Sequence, residues 1–254
     1  MGTYVVTGSA SGIGAATRLL LEEEGHAVVG VDVRDAEVVS DLSTADGRAA
    51  ALDAVSLAAP GGLDGCVVAA GIGPHTRPVE LILAVNYFGA VDLLDGLRDA
   101  LVARSGTAVA VCSNSAGIIP VEDPNVLEAM AAGDEARALE LGGVLHGAVA
   151  YGASKLALGR AVRHRSQEWG AAGVRLNAVA PGPVRTPLLQ ASIDDPELGP
   201  SVDALPVPWG SHQAAPEQVA GIIAFLLSTA SAPVHGSILF ADGGTDAVLR
   251  PDHV

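Results

Sequence analysis

The chain has 254 residues, 49% of them hydrophobic, and sets fourteen basic against twenty-nine acidic residues for a formal charge of -15. That length and apolar content suit one sizeable core, so a single domain over residues 1–254 is expected. The thinly spread negative charge argues against nucleic acid and anionic membrane as partners, and no apolar run nears the roughly 20 residues that a bilayer-spanning helix needs.

Strand-like apolar runs alternate with helical stretches from the start of the chain. A strand is expected over residues 4–7, too early to leave room for a leader, so the expected location is cytoplasmic. A helix over 12–24, a strand over 27–31 ending at Asp32, a short strand at Val38 and Val39 and a helix over 45–57 follow. Residues 63–69 read as a buried strand, 79–102 as one long helix and 107–112 as a fifth strand. Beyond a helix carrying Tyr151 come a strand over 174–180, a helix over 216–227 and a last strand over 237–240. Strands that are continuously apolar and separated by helices imply a parallel sheet covered on both faces. The expected fold class is α/β, a doubly wound parallel sheet of the Rossmann type in a single domain. Two stretches break the rhythm: a helical insert at 118–149 with a helix over 125–141, and a proline-rich segment at 186–215, expected to lie over a substrate.

The turn after the first strand, Thr7 through Gly8, Ser9, Ala10, Ser11, Gly12, Ile13 and Gly14, opens directly into a helix. Backbone N–H groups and the positive helix end can hold a pyrophosphate there, provided no Cβ blocks the approach. Asp32 ends the second strand eighteen residues beyond Gly14, where a carboxylate can accept both ribose hydroxyls and repels a 2′-phosphate. NAD is therefore expected over NADP, with Arg34 the one nearby cation. Asp41 and Leu42 are expected beside the adenine, and Ala70 and Gly71 leave room for a cofactor against the backbone.

Tyr151 and Lys155 stand four apart on a helix and share a face. A phenol ionises near pH 10, and a neighbouring ammonium is expected to lower that value, giving a usable general acid and base. Cys66 and Cys112 fall within apolar strands and are assigned to the core. The seven histidines are scattered without ligand spacing, so no metal site is expected.

In this order, the glycine turn, Asp32, Asn86, a serine near 113, the Tyr151/Lys155 pair and Pro181-Gly182 resemble the short-chain dehydrogenase/reductase family. Residues 12–18, 41–44, 85–89, 132–137, 186–191 and 242–244 are similar in particular to its bacterial 3α-hydroxysteroid dehydrogenase/carbonyl reductase group. The resemblance implies an NAD-dependent enzyme interconverting a secondary alcohol and a ketone, a 3α-hydroxysteroid/3-oxosteroid or similar cyclic compound, with a small hydrophobic substrate. Because many members assemble through paired long helices that the helical insert could obstruct, a homodimer is expected. A non-catalytic dinucleotide-binding sensor and a dehydrogenase for a non-steroid alcohol are the alternatives.

It also implies roles. Tyr151 exchanges the proton, Lys155 lowers its pKa and holds the nicotinamide ribose, and Asn86 relays protons through a water. Pro181, Gly182 and Thr186 lie at the cofactor, and Asn177 braces the site. For the serine, counting back from Gly117 reaches Asn114, whereas counting forward from Gly106 reaches Ser113. Strand alternation puts Ser113 and Ser115 on one side, so Ser113 is preferred and Ser115 is second. Leu188, Leu189, Leu198, Leu205 and Trp209 are expected to cover the substrate, and the insert to obstruct assembly through paired long helices.

Overall fold

Val5, Cys66 and Ala108 match across three neighbouring strands, as do Val6, Val67 and Val109 on the opposite side. Both sets are buried, so neither face of the sheet meets water, and the strands are apolar throughout. The computed structural model describes residues 1–253.

The first half of the chain gives β1 (Thr3–Thr7), α1 (Gly12–Glu23), β2 (Ala27–Asp32), β3 (Val38–Val39), α2 (Ala45–Ala58) and β4 (Gly65–Val68). A helical column follows, α3 (Glu80–Leu83) and α4 (Ala90–Val102) joined by a π-helical segment (Ala84–Gly89), and then β5 (Thr107–Val111). Next come α5 (Ser115–Ile118), α6 (Pro124–Ala132), α7 (Glu135–Gly143), the long α8 (Gly147–Ala171) and β6 (Arg175–Pro181). The chain continues through α9 (Pro187–Asp194), α10 (Gly199–Asp203), α11 (Pro216–Leu227), β7 (Ile238–Ala241) and α12 (Thr245–Leu249).

The seven parallel strands run in the order β3-β2-β1-β4-β5-β6-β7. Successive connections wind outward in opposite directions from β1 and β4, which leaves a crevice beyond their carboxyl ends. Leu93, Leu94, Leu97 and Leu101 of α4 and Leu158, Val162 and Trp169 of α8 fill one side of the sheet. Leu21 of α1 and Val219, Ile223 and Leu226 of α11 fill the other.

Two expected helices are each divided. The helix expected over 79–102 contains the π turn, where i→i+5 bonding widens the coil. That turn faces the end of β4, and Asn86 within it takes both backbone groups of Ile72. The helix expected over 125–141 is two helices, because Gly133 adopts a left-handed φ of 73° and ends α6. Asp134 then caps α7 by accepting from the N–H of Arg137 at 3.1 Å. Apolar periodicity runs through both breaks and conceals them.

The α4 contact should dominate stability. Leu101 is fully buried and Leu19 is 55% exposed, so Leu101→Ala should lose about 2–5 kcal/mol and Leu19→Ala no more than about 0.5 kcal/mol in urea unfolding.

Candidate active site

The crevice opens into a cavity of about 610 Å³ that runs from the β2 end, past β1 and β4, to α9 and α10. Its nucleotide-like side is built from backbone. Gly8 has a φ of 68°, and a Cβ on Gly14 would overlap the carbonyl oxygen of Gly8. The turn therefore closes only with glycine at both places. Ser11 starts α1 without a side-chain cap, so the free N–H groups of the first turn remain at the cavity wall formed by Ser11, Gly12, Ile13 and Gly14. Thr7 Oγ1 accepts from the N–H groups of Ala69 and Ala70 at 3.1 and 3.0 Å and locks the ends of β1 and β4 together. An uncapped helix start over a glycine cradle suits a dinucleotide's phosphates.

Asp32, Arg34, Asp41, Leu42, Ala70 and Gly71 line the same cavity. Asp32 is held in place by the N–H groups of Ala10 and Val33, at 3.0 and 2.7 Å. Two expected members of the cradle lie elsewhere. Ser9 is buried toward Gly30 of β2, and Ala10 spends its N–H on Asp32; neither lines the cavity. A positive φ at Gly8 turns that part of the loop inward, a turn that the glycine spacing does not specify.

Tyr151, Lys155, Ser113, Asn114 and Ser115 meet at the centre of the cavity. Lys155 is the only lysine in the chain. It is buried, it donates to the carbonyl of Val111 at 2.9 Å, and its Nζ lies 6.0 Å from the centre of the Tyr151 ring. Burial pulls its pKa from an ordinary 10.5 down to about 8. The Tyr151 phenol moves the other way: burial raises it, the neighbouring Ser113 hydroxyl lowers it, and the Cys112 thiol adds a smaller upward push. The expectation that Lys155 holds the phenol below its usual value is thus corrected: desolvation is the largest cause of the shift, and Lys155, turned toward the β5 carbonyl, is not one of its causes.

The alternation argument for the serines also fails as stated, because β5 ends at Val111 and the chain turns into α5 at Ser115. Ser113 nevertheless stands beside Tyr151 and accepts from the N–H of Ser115 at 3.2 Å. The Ser115 hydroxyl and the Asn114 Nδ2 are buried with no hydrogen-bond partner among the described residues. Asn86 lies behind the cavity wall, its Oδ1 accepting from the N–H of Ile72 at 2.8 Å and its Nδ2 donating to that residue's carbonyl at 3.0 Å. A Cβ on Gly71 would come 3.2 Å from Asn86 Oδ1 and 3.4 Å from Lys155 Nζ.

The far side of the cavity is apolar: Ile72, Pro74, Ile118, Ile119, Leu188, Leu189, Leu198 and Leu205 line it, with Pro181, Gly182 and Thr186 at the junction. Thr186 caps α9 by accepting from the N–H of Leu189 at 3.2 Å. Trp209 is misplaced by the sequence reading: its N–H bonds to Gly243, which leaves the ring 83% exposed beside a separate depression. Asn177 is misplaced as well. It bridges the carbonyl of Val234 and the N–H of Ser237, bracing β6 against the approach to β7 rather than the cavity. Ile118, Ile119 and Ala148 are wall residues that the reading missed, since an apolar residue in an insert carries no mark of the surface it will face.

Comparison with known proteins agrees with this architecture. A family model described as enoyl-(acyl carrier protein) reductase matches residues 137–246. The cis-4-hydroxycyclohexanecarboxylate dehydrogenase of Sinomonas cyclohexanicum is 34% identical over 96% of both chains. The chain belongs to the short-chain dehydrogenase/reductase family and is an oxidoreductase. More particularly, it is 47% identical to the 3-alpha-hydroxysteroid dehydrogenase/carbonyl reductase of Comamonas testosteroni, over 99% of both chains. It also superposes on the 3-alpha-hydroxysteroid dehydrogenase from Pseudomonas sp. B-0831 complexed with NADH, with a TM-score of 0.96 and 45% identity, over 99% of this chain and 100% of that one.

Because Lys155 is unique, lysine labelling reports on it alone. In NMR titration of protein carrying labelled lysine, a single resonance should shift with a midpoint of about 8, whereas a midpoint at 10.5 would contradict its burial. Between those values the unfolded chain keeps a proton that the folded chain has lost, so this group's contribution to stability rises with pH across the window. Its penalty, on the order of 3 kcal/mol, is complete below the folded value and vanishes above the unfolded one. The stability advantage of Lys155→Met over the native chain should therefore shrink as pH rises through that window, as followed by urea unfolding.

Proposed function

We propose that the chain is an NAD(H)-dependent dehydrogenase that interconverts a secondary alcohol and a ketone, with a 3α-hydroxysteroid/3-oxosteroid or similar cyclic carbonyl compound as substrate. The observation that carries this reading is the meeting of Tyr151, Ser113 and Lys155 between a glycine cradle and an apolar wall. The similar 3-alpha-hydroxysteroid dehydrogenase/carbonyl reductase and cis-4-hydroxycyclohexanecarboxylate dehydrogenase are named for ring-shaped alcohols, which supports the same substrate class here.

Gly8, Ser11, Gly12, Ile13 and Gly14 would hold the pyrophosphate, Asp32 the ribose, and Asp41 with Leu42 the adenine. Ala70, Gly71, Pro181, Gly182 and Thr186 would bound the nicotinamide half. Bound there, NAD supplies the hydride acceptor and NADH the donor. Ser113 orients the substrate oxygen by donating its hydroxyl proton, with Ser115 the second hydroxyl on the loop. Tyr151 takes the proton from the alcohol in oxidation and returns it to the ketone oxygen in reduction. Lys155 places positive charge beneath the phenol and stabilises the phenolate when it forms. Asn86 fixes the Ile72 backbone next to Lys155 and stands where a water could pass protons onward. The Asp32 carboxylate favours NAD, since a 2′-phosphate would face its charge.

Assembly as a homodimer in the cytoplasm completes the reading. α6 packs on α8 and occupies a flank that paired long helices would need, whereas the edge strand β7 exposes Leu239 and Phe240. Both cysteines are free thiols, in keeping with a reducing compartment.

The direct test is NADH formation with a panel of 3α- and 3β-hydroxysteroids and simple cyclic alcohols; absence of turnover with every ring alcohol would reject the substrate class. Tyr151→Phe should keep NAD affinity and lose about 10²–10⁴-fold in kcat. With the phenol raised by burial, alcohol oxidation, which needs the phenolate, should rise by up to about tenfold per pH unit on the alkaline side. Ketone reduction, which needs the phenol, should stay flat until that group ionises. Sedimentation should give a dimer that Phe240→Asp converts to a monomer; a compact tetramer would contradict the assembly.

A further inference from the structure

Arg48 is buried in the first turn of α2 and joins three separate elements. Its Nε lies 2.7 Å from Asp92 of α4, an ion pair not aligned as a hydrogen bond, its Nη2 donates to Glu135 at the start of α7 at 2.6 Å, and its Nη1 donates to the carbonyl of Leu42 at 3.3 Å. Leu42 is buried and lines the cavity together with Ser40 and Asp41. On its other side it is wedged against Gly89, where an added Cβ would come 3.1 Å from the Leu42 carbonyl oxygen and 3.2 Å from its Cβ. The Leu42 end of this segment is therefore tied to one guanidinium, which two carboxylates from other elements hold in place, whereas Ser40 is fixed separately through the carbonyls of Asp32 and Gly47. One of the two, Glu135, belongs to the insert.

We propose that Arg48 is a positioning residue that seats the adenosine half of the dinucleotide, with the insert helix α7 as its anchor. The inference rests on the reading of this cavity as the NAD site. A planar guanidinium can meet two carboxylates and a carbonyl at once, which a point ammonium on a shorter fork cannot do. A buried cation that loses a carboxylate must shift toward water, and the Leu42 carbonyl would shift with it. The nicotinamide half, bounded by Ala70, Gly71, Pro181, Gly182 and Thr186, makes none of these contacts.

Equilibrium titration of the full chain with two half-ligands tests this. Arg48→Met should weaken ADP-ribose at least tenfold and leave nicotinamide mononucleotide within twofold, and Arg48→Lys should recover part of the loss. If Arg48→Met does not fold, Glu135→Gln and Asp92→Asn should each weaken ADP-ribose about threefold with the same selectivity. ADP-ribose affinity unchanged in folded variants, or an equal loss for both ligands, would overturn the assignment of Arg48. A native chain that binds neither ligand would instead overturn the reading of the cavity, and this assignment with it.

Discussion

The site depends on burying a single ammonium at the end of β5. Lys155 gives up most of its hydration for one carbonyl, that of Val111, and burial lowers its pKa to about 8. That geometry is possible only if α8 lies close against the sheet. Ala153 and Ala157 supply small buried surface, and at Gly159 a Cβ would come 3.0 Å from Ile238 Cδ1. Once α8 is seated at that depth, Tyr151, one turn earlier, is carried to the mouth of the same strand and meets Ser113. One helix–sheet distance thus sets the phenol, the ammonium and the hydroxyl together.

The low dielectric that disfavours both charges also gives them their effect on chemistry. A phenol raised by burial and an ammonium lowered by it each resist the charged form, so a proton or a negative charge introduced between them is felt strongly. Asn86 contributes from behind. By using both ends of its amide on Ile72, it fixes the backbone next to Gly71 without adding a charge of its own. The π turn that presents it interrupts a helix otherwise packed through leucines, a local departure from regular structure placed next to the reactive groups.

Most of the sheet could be read from the sequence because continuous apolar runs and glycine turns are direct consequences of burial and chain reversal. Gly8, Gly12, Gly14 and Asp32 were legible for that reason, and Tyr151 with Lys155 because helical spacing alone aligns them. What stayed hidden depends on direction rather than composition. Ser9 and Ala10 sit inside the right motif but turn away from the cavity. Trp209 reads as a cover yet is drawn outward by a backbone bond to Gly243. The phenol's shift had the wrong expected sign because spacing reveals a neighbour and not the solvent that neighbour displaces. The break at Gly133 was visible as Gly-Asp but was outweighed by the apolar pattern around it.

The two sides of the cavity are built in different ways, and this follows from what each must hold. On the nucleotide side, walls come from strand ends, helix starts and buried bonds such as Thr7 to Ala69 and Ala70. On the apolar side, α9 and α10 are fastened by three histidine side chains, two from distant parts of the chain and one from the same segment. His75 Nδ1 lies 3.3 Å from Ser192 Oγ, His146 Nε2 lies 3.0 Å from Glu197 Oε1, and His212 Nε2 lies 3.3 Å from the carbonyl of Val202. The last two contacts are solvent-exposed and each is worth little, whereas the sheet side shares the stability of the core. A common dinucleotide needs an invariant bed, and backbone supplies it. A wall held by a few surface contacts can change its residues without disturbing the sheet, so in the proposed reading substrate choice and fold stability would be carried by different parts of the chain.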